Sequence, residues 1–258
     1  MRVKPIILKK GYQIIKSDSV ILIKRKIRSQ IIKASKLILE KNNYKNCIFK
    51  NINKVTEFMH SEDKKKNLNM IASLYEILPA IPEIHKYASK KFFVDLAKRS
   101  GILYPAIGVN LAVRLDRPHD EKRNSSLHQD FWYSFISNNS ITVWFNLTEV
   151  KKEDGPLIIY YNFKKNIKKF KDNKLGTYTA SLPLKKKIGK KNIFLKENEV
   201  LVFNQFLLHQ SGQNISTKPR ISVQIRFNDL KKAKELKSSF TCVSSDYVLK
   251  KQKLFLLN

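Results

Sequence analysis

The segment "HQSGQNISTKPRISVQIRF", residues 209–227, joins a polar turn to a run of alternating residues. Alternation is typical of a β-strand, in which successive side chains point to opposite faces. One face of this run is apolar (Ile221, Val223, Ile225), and the other is polar or charged (Arg220, Ser222, Gln224, Arg226). We therefore expect a strand here, with arginines on the polar face.

Similar short runs fill the chain after Gly101, separated by Gly, Pro, Asn or Asp: "AIGVNLAVRL", "SITVWFNL", "GPLIIYY" and "NEVLVFNQFLLHQ". No helical pattern lies between these runs, which favours an antiparallel sandwich or barrel over a parallel sheet. We interpret the Lys-rich segment 164–191 as a long inserted loop, with one short strand in "GTYTASLPL".

The first part of the chain is predicted to be mostly helical. Apolar residues recur every three or four positions from Ile23 to Leu39. Ser61 could be the N-cap of the next helix, and Gly101 a helix stop. The expected fold is mainly β with a helical N-terminal layer. We expect one domain over 1–258, with the helical part at 1–103, the strand core at 104–230 and a tail at 231–258.

Composition indicates a globular chain. Of the 258 residues 42% are hydrophobic, which is enough to build a core. We find no apolar run long enough to span a bilayer and no signal peptide. The two cysteines form no motif, as expected of reduced thiols, so we expect a cytoplasmic location. Oligomeric state is left open.

The net charge of +30 invites a nucleic-acid interpretation. The excess, however, is mostly lysine scattered along the chain, and an Asn- and Ile-rich sequence of this kind can reflect AT-rich codons. No zinc-finger spacing, RNP-like motif or phosphate loop is present. We therefore do not expect a nucleic-acid partner. An anionic small-molecule substrate fits the charge better.

The segment "SSLHQDFWYS", residues 125–134, contains candidate metal ligands. If it is a strand, His128 and Asp130 point to the same face. With His209, from a neighbouring strand, they would form the two-histidine, one-carboxylate site of non-haem Fe(II). A hydrogen-bonded pair at a strand edge is the alternative.

Arg220, eleven residues after His209, adds a second element. A guanidinium at the start of the next strand can hold a carboxylate through two charge-assisted hydrogen bonds. Ser211 could add a hydroxyl to the same carboxylate. Together these residues favour the metal interpretation.

Three motifs occur in order: "HQD" at 128–130, "DGPL" at 154–157, and H-x-S-G-x-N-x-S-x-x-P-R at 209–220. In them the chain resembles the phytanoyl-CoA dioxygenase family of Fe(II)- and 2-oxoglutarate-dependent oxygenases, over roughly residues 105–229. The resemblance implies a double-stranded β-helix, a jelly-roll of the cupin type. It also implies that His128, Asp130 and His209 bind iron, and that Arg220 with Ser211 binds the distal carboxylate of 2-oxoglutarate.

The chain departs from the family after "GPL", where a small-residue turn is replaced by "IIYYNFKKN". Contacts from this loop are therefore not carried over. Asn110 and Arg114, on the preceding strand, could face 2-oxoglutarate or substrate, and Arg226 could face substrate or a carboxylate at the rim. Three aromatic side chains could line the pocket or belong to the core: Phe131, Trp132 and Trp144.

The resemblance implies a hydroxylase that uses Fe(II), 2-oxoglutarate and O2 and releases succinate and CO2. We expect its substrate to be small and anionic or sugar-like. Two alternatives stay open from the sequence: a non-catalytic jelly-roll that binds a ligand, and a nucleic-acid-modifying oxygenase.

Overall fold

The computed structural model describes residues 10–107, 111–120, 124–132, 137, 139–161, 167, 169–172, 177–180 and 188–232. Five helices lie in the N-terminal part: α1 Ser19–Lys41, α2 Ile52–Lys66, α3 Met70–Ile77, α4 Pro82–Ala88 and α5 Lys91–Arg99. Eleven strands are present in the described residues: β1 Tyr12–Lys16, β2 Pro105–Ile107, β3 Ala112–Asp116, β4 Ser140–Asn146, β5 Leu157–Tyr161, β6 Lys169–Asp172, β7 Thr177–Ala180, β8 Gly189–Ile193, β9 Glu199–Asn204, β10 Leu208–Ser211 and β11 Arg220–Asp229.

All strand pairs are antiparallel. The larger sheet has the order β1-β9-β4-β11-β2, with β3 also paired to β11. A smaller sheet has the order β10-β5-β8, and β6 with β7 forms a separate hairpin. The segment 164–191 is therefore not a plain loop. Its expected strand is present as β7, but β6 pairs with it and β8 begins there as well.

The helical prediction for Ile23–Leu39 is confirmed by α1. The prediction of Ser61 as an N-cap is wrong, because α2 begins nine residues before it, at Ile52. The cap is Asn51, whose side chain accepts a hydrogen bond from Lys54 N at 3.1 Å. Strand β1 was not predicted, because its segment was assigned to the helical part.

Asp63 explains why the Ser61 region resembles a helix start. Its carboxylate accepts hydrogen bonds from Met70 N and Ile71 N, both at 2.9 Å. It therefore binds the first amides of α3, where an anion is stabilised by the helix dipole. The acidic signal belongs to the following helix, although the residue itself lies in α2.

The helices cover the apolar face of the larger sheet. On β4, Val143 and Phe145 are fully buried, as are the apolar side chains of β11. Phe93 of α5 stacks on Phe145, with ring centres 5.6 Å apart and planes 4° from parallel. Lys24 of α1, also fully buried, donates to the carbonyl oxygens of Lys196 and Glu199 at 3.3 and 3.1 Å. No helix among the described residues is long and apolar enough to cross a membrane.

Candidate metal centre and cosubstrate site

The inner face of the larger sheet is polar. Pairing of β11 with β3 and β4 brings alternate side chains of the three strands onto one face. They are Arg220, Ser222, Gln224 and Arg226 from β11, Thr142, Trp144 and Asn146 from β4, and Arg114 and Asp116 from β3. The polar face predicted from the alternation therefore faces the interior, not solvent.

His128 and His209 lie directly opposite each other. The strand expected at 125–134 is not formed over its described residues 125–132, where His128 makes only an isolated β-bridge, to His209 of β10. Each backbone N–H donates to the other's carbonyl, at 2.9 and 3.0 Å. This exchange keeps both side chains on one face. The imidazole centres are 4.2 Å apart.

The hydrogen bonds of the two imidazoles determine which nitrogen can bind a metal. Nδ1 of His128 lies 2.6 Å from Ser126 O, and Nδ1 of His209 lies 3.0 Å from Leu207 O. Because a carbonyl only accepts, each Nδ1 carries the proton, and the lone pair lies on Nε2. Burial, with His209 nearby, lowers the pKa of His128 to about 3, and burial also lowers the pKa of His209. Both rings are neutral, as metal ligation requires.

Asp130 supplies the carboxylate from a short 3₁₀ turn, not from a strand. Its Oδ1 lies 3.8 Å from Nε2 of His128 and 3.9 Å from Nε2 of His209. Thr142 donates to Oδ2 at 2.6 Å, and Arg226 donates to Oδ1 at 3.0 Å. Burial alone would raise the pKa of Asp130, but Arg226 and the two histidines hold that pKa well below its usual range. The carboxylate is therefore ionised and fixed in orientation.

These three side chains converge on one point. Their ligand atoms all lie within 4.8 Å of one another, and all three residues are buried. Two imidazole nitrogens and one carboxylate oxygen suit a non-haem Fe(II) ion and leave coordination positions open. The donor set thus fits the implied metal.

Arg220 lies on the same inner face, with its side chain only 2% exposed. Its Nη2 donates to Asp116 and, at 3.4 Å, to Ser211 Oγ. Its Nε and Nη1 are buried and have no hydrogen-bond partner among the described residues. Such donors are costly to leave unpaired, so they fit a carboxylate ligand such as the distal end of 2-oxoglutarate.

The other predicted residues differ in their surroundings. Trp144 is buried on the inner sheet face against Arg220, whose Cζ is 6.0 Å from the ring centre. Phe131 is 39% exposed and packs on Phe206, with ring centres 5.0 Å apart. Arg114 binds Asp116, Trp132 is partly exposed beside Asp130, and Asn110 falls outside the described residues.

Part of the chain matches a known protein family. Residues 112–222 match the family model of phytanoyl-CoA dioxygenase (PhyH). The matched range contains all three motifs, at 128–130, 154–157 and 209–220. This confirms the resemblance drawn from the motifs, and with it the enzyme class, the Fe(II)- and 2-oxoglutarate-dependent oxygenases. No curated protein sequence matches the chain.

Two solved structures of EctD from S. alaskensis share the fold. The form with bound Fe has a TM-score of 0.52 and 13% identity, over 90% of this chain and 80% of EctD. The form with 2-oxoglutarate and 5-hydroxyectoine has a TM-score of 0.51 and 17% identity, over 90% of this chain and 79% of EctD. The likeness confirms the predicted jelly-roll with a helical N-terminal layer.

Two glycines of the phytanoyl-CoA dioxygenase motifs contact each other. Gly155 has φ +70°, and a Cβ there would lie 2.6 Å from Gly212 O. A Cβ on Gly212 would in turn lie 2.7 Å from Pro156 O. The "DGPL" and "H-x-S-G" motifs therefore pack backbone against backbone, which only glycine permits. This contact holds the end of β10, and so His209, in place.

Two residues of the site were missed by the sequence reasoning, Thr142 and Asp116. Thr142 is an ordinary strand residue in sequence, and only the pairing of β4 with β11 brings it to Asp130. Asp116 ends β3 and lies opposite Arg220 in register. A signal was available for Asp116, since a carboxylate two residues after Arg114 can share its strand face.

Proposed function

We propose that this protein is a hydroxylase that uses Fe(II), 2-oxoglutarate and O2 to oxidise a small anionic or sugar-like molecule. The observation that carries the proposal is the buried group of His128, Asp130 and His209, whose ligand atoms lie within 4.8 Å of one another. When bound, iron and 2-oxoglutarate would reduce O2, releasing succinate and CO2 and giving one oxygen atom to the substrate.

In this proposal the three side chains hold the metal through Nε2 of each imidazole and Oδ1 of Asp130. Thr142 and Arg226 keep the carboxylate from rotating, since each binds one oxygen. Arg226 also keeps Asp130 ionised before any metal arrives. The neutral imidazoles need lose no proton on ligation, so metal binding at neutral pH is favoured.

Arg220 would hold the distal carboxylate of 2-oxoglutarate, assisted by Ser211. Its two buried donor nitrogens Nε and Nη1, for which the described residues offer no acceptor, support this role. Trp144 packs against the guanidinium and limits its movement. Because the guanidinium is excluded from water, a carboxylate bound there gains more than it would at the surface.

Two observations support the substrate class. The inner sheet face has buried groups, including Ser222 Oγ and Asn146 Oδ1, that make no hydrogen bond to any residue the structure describes. Buried groups of this kind favour a substrate rich in hydroxyl or carboxylate groups. The net charge of +30 also attracts anions. A small-molecule substrate in the cytoplasm fits both. An inactive jelly-roll would have no need of three ligands in this geometry.

The decisive experiment is anaerobic addition of Fe(II) and 2-oxoglutarate to the purified protein. We expect a weak visible absorption band from the chelate, and a calorimetric titration that reaches one equivalent of each. His128→Ala and Asp130→Ala should lose both signals. His85→Ala is the matched control, because His85 is an exposed histidine on α4 and should change neither signal.

A folded wild-type protein that binds neither Fe(II) nor 2-oxoglutarate would contradict the proposal. If both bind, admission of O2 should produce succinate in an amount equal to the 2-oxoglutarate consumed. Screening sugars and small carboxylic acids for faster succinate release then identifies the substrate.

A further inference from the structure

Asp116 gives Arg220 a counter-ion within the protein itself. The two residues face each other across β3 and β11, so their side chains share the inner face. One oxygen of Asp116, Oδ2, accepts from Arg220, and the other, Oδ1, accepts from Arg114 Nη2 at 2.9 Å. The side chain of Asp116 is 3% exposed. Asp116 therefore bridges two arginines next to the expected carboxylate site.

The ionisation of Asp116 is secure. Burial would raise its pKa, but Arg220 and Arg114 overcome that effect and lower the pKa to about 2. The backbone of Asp116 is fixed as well, since Asn214 Nδ2 donates to its carbonyl at 2.9 Å. The carboxylate therefore stays negatively charged at neutral pH and stays in a fixed position.

The charge balance leaves room for one more anion. Two guanidinium groups and one carboxylate carry a single positive charge, and Nε and Nη1 of Arg220 have no hydrogen-bond partner within the described part of the chain. A distal carboxylate of 2-oxoglutarate would neutralise that charge. It would, however, share Arg220 with Asp116, and two buried carboxylates close together repel each other.

We propose that Asp116 limits the affinity of this site for 2-oxoglutarate by competing with the distal carboxylate for Arg220. This inference rests on the proposed function and deepens it, because it names a residue that sets the affinity for 2-oxoglutarate. Asp116 touches neither the metal ligands nor the reacting atoms. It pairs with Arg220 and Arg114, and the competition with 2-oxoglutarate acts through Arg220.

The test compares wild-type protein with Asp116→Asn, which keeps the size of the side chain and removes its charge. We expect Asp116→Asn to bind 2-oxoglutarate ~10-fold more tightly in an anaerobic titration of the Fe(II) protein. The probe 2-oxovalerate has a carbon chain of the same length, with a methyl group in place of the distal carboxylate. Its affinity should change less than about 2-fold, because it does not contact Arg220 through a charge.

Asp120→Asn is the matched control. Asp120 pairs with Arg117 outside the site, so this variant removes an ion-paired carboxylate and should leave both affinities unchanged. Thermal unfolding of each variant shows whether it is folded. Unchanged or weaker binding of 2-oxoglutarate by folded Asp116→Asn would overturn the inference, and weaker binding would make Asp116 a support for Arg220.

One measurement needs no variant, in case Asp116→Asn does not fold. If Asp116 already occupies part of Arg220, the wild type should prefer 2-oxoglutarate to 2-oxovalerate by only ~10-fold. A preference above roughly 1,000-fold would overturn the inference, because the full charge of Arg220 would then be available. A wild type that binds neither Fe(II) nor 2-oxoglutarate refutes the proposed function itself, whereas binding without the Asp116 effect refutes only this inference.

Discussion

The hydrogen bond from Thr142 to Asp130 should control metal affinity, and Thr142→Val tests it. Valine has nearly the same shape as threonine but cannot donate to Asp130 Oδ2, which lies 2.6 Å from the hydroxyl. Both residues are fully buried, so water does not replace the lost partner. A hydrogen bond to a charged acceptor contributes about 1.5–3 kcal/mol. We therefore expect Fe(II) to bind roughly 10- to 100-fold more weakly.

The assay is an anaerobic competition between the protein and a chelator of known Fe(II) affinity, with folding checked by urea denaturation. Thr56→Val is the matched control. Thr56 is a fully buried threonine of α2 whose hydroxyl donates to Ile52 O at 2.9 Å, away from the site. It should leave Fe(II) affinity unchanged. If folded Thr142→Val binds Fe(II) within about 2-fold of the wild type, Thr142 does not position the ligand.

Two further predictions concern stability. Burial lowers the pKa of Lys24 from 10.5 to about 8, so its charge destabilises the folded state below pH 8, and this penalty disappears as pH rises to 10.5. In urea denaturation the free energy of unfolding of the wild type, relative to that of Lys24→Met, should therefore rise by about 3 kcal/mol over that range. A difference that does not change with pH would contradict this. Gly155→Ala should destabilise more than Gly101→Ala, which has φ +90° but nothing within 4 Å of a Cβ. The positive φ alone accounts for about 1–2 kcal/mol of lost unfolding free energy in each variant. Equal losses for the two variants in urea denaturation would therefore show that the contact of Gly155 with Gly212 is not tight.

Local patterns were sufficient for much of the fold. The apolar spacing of α1 and the alternation of β11 predicted those elements correctly, because each depends on side chains close in sequence. Asn51 and Ser61 show the limit of this reasoning. Both residue types are plausible caps, but Asn51 caps α2, and the acidic residue after Ser61, Asp63, binds the amides of the next helix.

The metal-binding residues were predicted from their types and order, but for a partly wrong reason. His128 and Asp130 do not share a strand face, since one lies on a β-bridge and the other opens a turn. The sequence left open whether Arg226 faces substrate or a carboxylate at the rim. In the structure it binds Asp130.

Residue types and their order in the sequence were enough to propose which side chains bind iron and 2-oxoglutarate, and local alternation predicted the strands that carry most of them. The partners of those side chains depend on contacts between distant parts of the chain. Alternation in β11 cannot distinguish a face in water from a polar face enclosed between sheets, because both have the same period. Asp116 and Thr142 reach Arg220 and Asp130 only through pairing between strands distant in sequence, and that pairing also gave Arg220 a partner that the motif does not reveal.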